Sequence, residues 1–212
     1  SRIISLLVKI IKDYLAVANV PRHILDVGCG HGVIAARVLD GIPDATLVGV
    51  DGSLPMLAMA RERLAPFGAR ASLMQADFEV MTPADLAGGP FGIAFASQSI
   101  HNCSDEGKQN TLASCRAVMA QGGLFLLYDR IKLATPALFP VYRSVWDTTG
   151  ADFGGQQHEG DSFAEHEQTR ITRGDRPGSL DHNVLWLREA GFGEVAVVQA
   201  VGIRALIAAI AP

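Results

Sequence analysis

Apolar positions change their period several times along the chain, and each change marks an element. Ile3, Ile4, Leu7, Ile11 and Leu15 recur at helical spacing, while Arg2, Ser5, Lys9 and Lys12 fall mainly on the other side. This predicts an amphipathic helix over 1–19. Lys9, Lys12 and Asp13 interrupt the run before the ~18–20 apolar residues that a membrane span requires, so the apolar face must pack on protein. Beyond Pro21 the pattern becomes short apolar blocks: HILDV (23–27), ATLVGVD (45–51), ASLMQAD (71–77), PFGIAFAS (90–97) and GLFLLYD (123–129). Such blocks read as parallel strands buried on both faces.

The stretches between them carry helix signals. Residues 33–42 hold apolar side chains at helical spacing. Ser53 is suited to cap a helix with Pro55 in its first turn and an end near Gly68. Ser104 caps another, in which Asp105 and Glu106 suit the positive end of the dipole and Gly122-Gly123 give a stop. From Arg130 to Gly178 the rhythm is lost, and Tyr142, Trp146, Phe153 and Phe163 stand among glycines and charges, which reads as an insertion over 130–178. Order returns with a helix over 181–191 and strands over 194–200 and 203–210. The short link Val201-Gly202 makes a hairpin, so the last strand is expected to run antiparallel. The expected fold is one α/β domain over 1–212, a doubly wound, seven-stranded and mostly parallel sheet.

Composition narrows the function. A formal charge of -4, with 18 Lys and Arg against 22 Asp and Glu, offers no general basic field for a phosphate backbone, so nucleic acid is not the expected partner. Cys29, Cys103 and Cys115 are odd in number and form no C-x-x-C pair, which points away from disulfides and zinc and toward a reducing cytoplasm. His158, Glu159, Glu165, His166 and Glu167 match no common metal spacing, so a solvated polar loop and no metal are expected. The chain opens at Ser1 rather than methionine, which leaves room for residues upstream.

Residues 24–32, ILDVGCGHG, place Gly28, Gly30 and Gly32 directly after the first strand, where a turn of an open α/β sheet commonly meets a cofactor. Val33 stands where the dinucleotide pattern needs glycine, which argues against NAD and FAD. Three strands also carry an acid at or near their carboxyl ends, Asp26, Asp51 and Asp77. Asp51 lies 19 residues beyond Gly32, where a carboxylate can accept both hydroxyls of a ribose.

Taken in order, DVGCGHG, GVDGSLPML, QADF, FGIAFASQSIHN, GGLFLLYD and WLREAGF resemble the motifs of the class I S-adenosylmethionine-dependent methyltransferases of small-molecule type. The resemblance runs from about residue 22 to the C-terminus and implies the Rossmann-like methyltransferase fold with S-adenosylmethionine as cofactor. It implies that Gly28, Cys29 and Gly30, just after Asp26, line the methionine part and that Asp51 holds the ribose. Gly52, Ser53 and Met56 would flank the adenine, Asp77 and Phe78 would bind its amino group and ring edge, and Ser97 with the residues after it would face the sulfonium. His101, four residues past the fourth strand, is the candidate general base for an acceptor that arrives protonated.

SQSIHN departs from the Asp/Asn-Pro-Pro-aromatic element of base and amide methylating relatives, and it lacks the acids of magnesium-binding ones. The expectation is methyl transfer to O, N, S or C of a small metabolite, with the 130–178 insertion as substrate cover and its aromatics lining an apolar pocket. The alternatives are a relative using the cofactor for a non-methyl transfer and a non-catalytic member of the fold. The first helix leaves a homodimer open.

Overall fold

The computed structural model describes residues 2–149 and 160–212. The helices are α1 (Arg2–Val17), α2 (Val33–Gly41), α3 (Leu54–Leu64), α4 (Asp105–Ala117), α5 (Phe139–Thr149), α6 (Phe163–Thr172) and α7 (Leu180–Glu189). The strands are β1 (His23–Val27), β2 (Thr46–Asp51), β3 (Ala71–Gln75), β4 (Phe91–Ser97), β5 (Met119–Arg130), β6 (Val195–Val201) and β7 (Arg204–Ile210). They form one seven-stranded sheet in the order β3-β2-β1-β4-β5-β7-β6. β1 to β5 pair in parallel, and β7 runs antiparallel to both β5 and β6.

Alternation along the strands explains why both faces are apolar. In β1, Leu25 and Val27 join a core with Leu112 and Cys115 of α4 and Trp186 and Leu187 of α7, while Ile24 points into the opposite core with α1 and α2. Ile3, Leu7, Ile11 and Leu15 of α1 are all buried there. Four buried aliphatic side chains at about 1.5–3 kcal/mol each supply roughly 6–12 kcal/mol, which is the scale of a whole domain's net stability. The first helix is therefore part of the fold.

Three boundaries differ from the sequence expectation. The Gly122-Gly123 pair does not stop α4. α4 ends at Ala117, and the pair sits inside β5 because Met119 pairs with Phe91 of β4 and the Gly122 N–H donates to the Ala211 carbonyl. β3 ends at Gln75, so Asp77 leaves the ladder and accepts from the Glu79 N–H at 3.0 Å.

The third difference is in the insertion, which forms α5 and α6. Ser162 caps α6 by accepting from the Glu165 N–H, and His166 is buried among the rings of Phe139, Trp146 and Phe163. Residues 163–172 are thus a helix rather than a solvated loop; Phe153, His158 and Glu159 lie outside the described residues. Among the described residues, Phe139, Tyr142, Trp146 and Phe163 of the insertion pack with Leu133 and Ile203 in a small core of their own. Among the described residues no helix is long and apolar enough to cross a membrane.

Candidate active site

Strands β1 and β4 are neighbours although β2 and β3 separate them in sequence, so the chain leaves their carboxyl ends in opposite directions and opens a crevice there. The glycine turn lies on one side of that crevice. Gly28, Gly30 and Gly32 have φ of +77°, +52° and +78°, a region costly for other residues. A Cβ on Gly28 would stand 2.1 Å from the Ser99 Cβ, whereas one on Gly30 would meet no atom within 4 Å. Gly28 thus admits the exit of β4, and Gly30 faces open space.

Asp51 fixes this turn from the end of β2. Its Oδ2 accepts from the Gly30 N–H and its Oδ1 from the Ser53 N–H, each at 2.8 Å. A carboxylate has about four acceptor positions, so both oxygens retain capacity for a ligand's hydroxyls. The cleft above has a volume of about 960 Å³. Among the expected site residues, Gly28, Gly30, Asp51, Gly52, Met56, Asp77 and Phe78 line it.

Five expected residues do not line it. Asp26 is 2% exposed and lies beneath the turn, its Oδ2 without a hydrogen-bond partner among the described residues. Burial, and then the negative charge of Asp51, push its carboxyl well above the usual range. The Cys29 thiol turns inward because Gly49 leaves it room: a Cβ on Gly49 would lie 3.0 Å from its Sγ. Ser53 spends its hydroxyl capping α3, accepting from the Met56 N–H at 3.4 Å. Ser97 remains in the ladder opposite Tyr128, and Gln98 and Ser99 form the lip in its place.

His101 is the fifth, and its surroundings correct the expectation of a base open to an acceptor. It is buried, with Nδ1 2.5 Å from Asp129 Oδ1 and Nε2 3.7 Å from Asp175 Oδ1. Asp175 Oδ2 accepts from Arg130 Nη1 at 2.7 Å, and the His101 carbonyl accepts from the Arg176 N–H at 2.6 Å. The ring therefore joins the exits of β4 and β5 to the segment after α6, and both its nitrogens face carboxylates.

Sequence reasoning overlooked His31, Glu79, Asn102 and Cys103, which line the cleft. The first stood in plain view between two of the glycines. Glu79 gave no signal, since it is placed by the Ser104 hydroxyl and by the Ser104 N–H at 2.8 Å, which also hold its carboxyl low. Burial pushes the Cys103 thiol up to about 11, so it stays protonated at neutral pH and is no nucleophile.

Residues 24–123, the span that builds this turn and cleft, match the model of a family described as a methyltransferase domain. That match, over just under half of the chain, supports a class I S-adenosylmethionine-dependent methyltransferase. It is similar to malonyl-[acyl-carrier protein] O-methyltransferase of Legionella pneumophila, 38% identical over 95 residues, which is 45% of this chain and 31% of that one. It is also similar to demethylmenaquinone methyltransferase of Thermus thermophilus, 30% identical over 141 residues, 66% of this chain and 62% of that one. An O-methyltransferase family protein from Burkholderia thailandensis shares the fold, with TM-score 0.70 and 14% identity over 99% of this chain and 56% of that one. The chain thus spans less than two thirds of the length of each of these proteins.

The cofactor of this methyltransferase family is S-adenosylmethionine, and the residues of the cleft fit it. Beneath the cleft, Asp26 is a buried acid with no counter-charge among the described residues, and the cofactor carries two positive centres. Gly30 leaves main chain open to close approach, and Asp51 has acceptor capacity to spare.

Proposed function

We propose that this methyltransferase moves the methyl group of S-adenosylmethionine to O, N, S or C of a small metabolite in the cytoplasm. Asp51 carries the reading, because one carboxylate both locks the glycine turn and faces the cleft with unused lone pairs. The three buried, free cysteines support a reducing compartment. The two relatives are named for different acceptors, malonyl-[acyl-carrier protein] and demethylmenaquinone, so their names do not single out one acceptor for this chain.

When bound, the cofactor supplies a methyl group on a positively charged sulfur with a good leaving group. What remains for the chain is to hold, align and exclude water, and alignment alone is worth about 7–11 kcal/mol. Asp51 and Asp77 would fix the nucleoside, and Gln98, Ser99 and Asn102 present uncharged polar groups at the acceptor side of the turn. Because His101 is enclosed by Asp129 and Asp175, the reading assigns it no proton transfer.

Calorimetry with S-adenosylmethionine and S-adenosylhomocysteine tests this. Binding to the unaltered chain is expected. Asp51→Asn should weaken it by about 10- to 100-fold, the loss of a charged acceptor for buried hydroxyls. Absence of binding by the unaltered protein would overturn the reading, and normal affinity in the variant would remove the ribose assignment.

A further inference from the structure

The segment after α6 is pinned residue by residue around one side chain that is left free. Asp175 is buried, its N–H donating to the Arg170 carbonyl at 3.0 Å and its carbonyl accepting from Arg170 Nη1 at 2.8 Å. The Arg176 N–H donates to the His101 carbonyl at 2.6 Å. Pro177 is buried, and the Gly178 carbonyl accepts from the Lys132 N–H at 2.9 Å. A Cβ on Gly178 would stand 2.6 Å from the Trp186 ring, so the backbone there is closely held. Arg176 itself is exposed, and its guanidinium has no hydrogen bond or ion pair among the described residues.

This arrangement sets a cation at the lip of the cleft. His101, whose carbonyl holds Arg176, directly precedes Asn102 and Cys103, which line the cleft. Glu79 lines it too; the Ser104 hydroxyl and N–H hold its carboxyl low, and the charge of Arg176, ahead of that of Lys108, adds to this. The neighbouring cations are committed elsewhere. Lys108 pairs with Asp105 at 2.9 Å and lies over the Trp186 ring, and Arg130 pairs with Asp175 at 2.7 Å. Lys132 acts on α6, where Glu167 is held low by Arg170 with a lesser contribution from Lys132.

A guanidinium is a planar fork that matches two oxygens of a carboxylate or phosphate at once, and a fixed backbone lowers the ordering cost of closing on one. Asp51, Asp77, Glu79 and Asp85, which line the cleft, repel such a group, so an anionic acceptor needs a cation at the lip to enter and be oriented. We propose that Arg176 binds an anionic oxygen group of the methyl acceptor, a carboxylate or a phosphate, and so selects acidic metabolites. The assignment rests on the methyltransferase reading and deepens it. Arg176 is a specificity residue and takes no part in holding the cofactor.

The test uses the full chain saturated with S-adenosylhomocysteine and three probes that share a ring and differ in head group: benzoate, benzamide and phenyl phosphate, extended to aliphatic sets of the same three kinds. Ligand-detected NMR should show the acids bound about 10-fold or more tighter than the amides, the scale of a charge-assisted contact. Arg176→Gln should erase that preference and leave the affinity for S-adenosylhomocysteine, read by calorimetry, unchanged. Lys132→Gln should keep both. Whether the carboxylates or the phosphates bind better identifies the group. The proposal is overturned, with the methyltransferase reading left standing, by no preference for acids in the unaltered chain or by a preference that survives Arg176→Gln. It is overturned equally by a preference lost in Lys132→Gln too, or by a weaker hold on S-adenosylhomocysteine in Arg176→Gln. If the unaltered chain does not bind S-adenosylhomocysteine, both fall together. Because the Arg176 side chain is exposed and makes no hydrogen bond among the described residues, an unchanged melting temperature of the variant checks that its fold is intact.

Discussion

Asp26 holds a carboxylate where burial opposes its charge and Asp51 repels it. In the free protein its folded-state pKa is therefore raised. Below the unfolded carboxyl value near 3.9 both states hold the proton and the residue makes no difference. As pH rises through that value the unfolded chain ionises first, so stability falls, and the loss is complete once the raised folded pKa is passed. Asp26→Asn removes the ionisation and keeps the shape. The free variant should melt higher at neutral pH, by about 2–4 °C for each kcal/mol regained, and its stability should depend less on pH. Its affinity for S-adenosylmethionine should fall at the same time, because a counter-charge is lost. A variant that melts lower and binds normally would show Asp26 to be structural only. The glycines and the acids at 26, 51 and 77 were legible because strand ends and turn spacing fix where the backbone goes. Side-chain direction was not. Cys29 turns toward the gap at Gly49, and His101 toward Asp129, since the vacancy and the partner sit on strands far away in sequence.

At the scale of elements, the segment after α6 is tied down at Asp175. The carboxylate is buried, pairs with Arg130 at 2.7 Å and lies 3.7 Å from His101, while its carbonyl accepts from Arg170 at 2.8 Å. Removing one member of a buried ion pair typically costs about 3–5 kcal/mol. Asp175→Ala should thus lower the melting temperature and speed hydrogen exchange over residues 160–176 more than over β1 and β4. Uniform loss of protection would mean that α6 and the sheet open as one unit. The parallel strands were legible because short apolar blocks alternate with helical periods. α5 and α6 were not, because their apolar residues serve a satellite core: Phe139 and Trp146 meet edge to face at 5.6 Å, and Trp146 closes over Gly202 in the β6-β7 hairpin. No local period reports such a contact. The extension of β5 back to Met119 has the same origin, since pairing with β4 outweighs the two glycines.

For the molecule as a whole, the class of fold followed from the succession of strands and helices, whereas the closure of one sheet face by α1 and of the β5-β7 side by the insertion depended on packing between distant segments. The candidate site draws on the ends of β1, β2, β3 and β4, so it exists only when all four are in register. A ligand of this site binds the folded state alone and stabilises it by RT ln(1 + [L]/Kd), about 2.7 kcal/mol at a hundredfold excess over Kd. At about 2–4 °C per kcal/mol for a chain of this size, S-adenosylhomocysteine should raise the melting temperature by roughly 5–11 °C. Each further tenfold in concentration adds about 1.4 kcal/mol, so the rise should continue as a straight line in the logarithm of concentration. Asp51→Asn should give a line of the same slope displaced to higher concentration, because affinity sets the position and mass action sets the slope. Since α1 buries four of its side chains in the sheet's own core, its amides should gain protection in step with β1 and β4. Protection gained at the glycine turn while α1 exchanges as before would show that the helix and the site unfold separately.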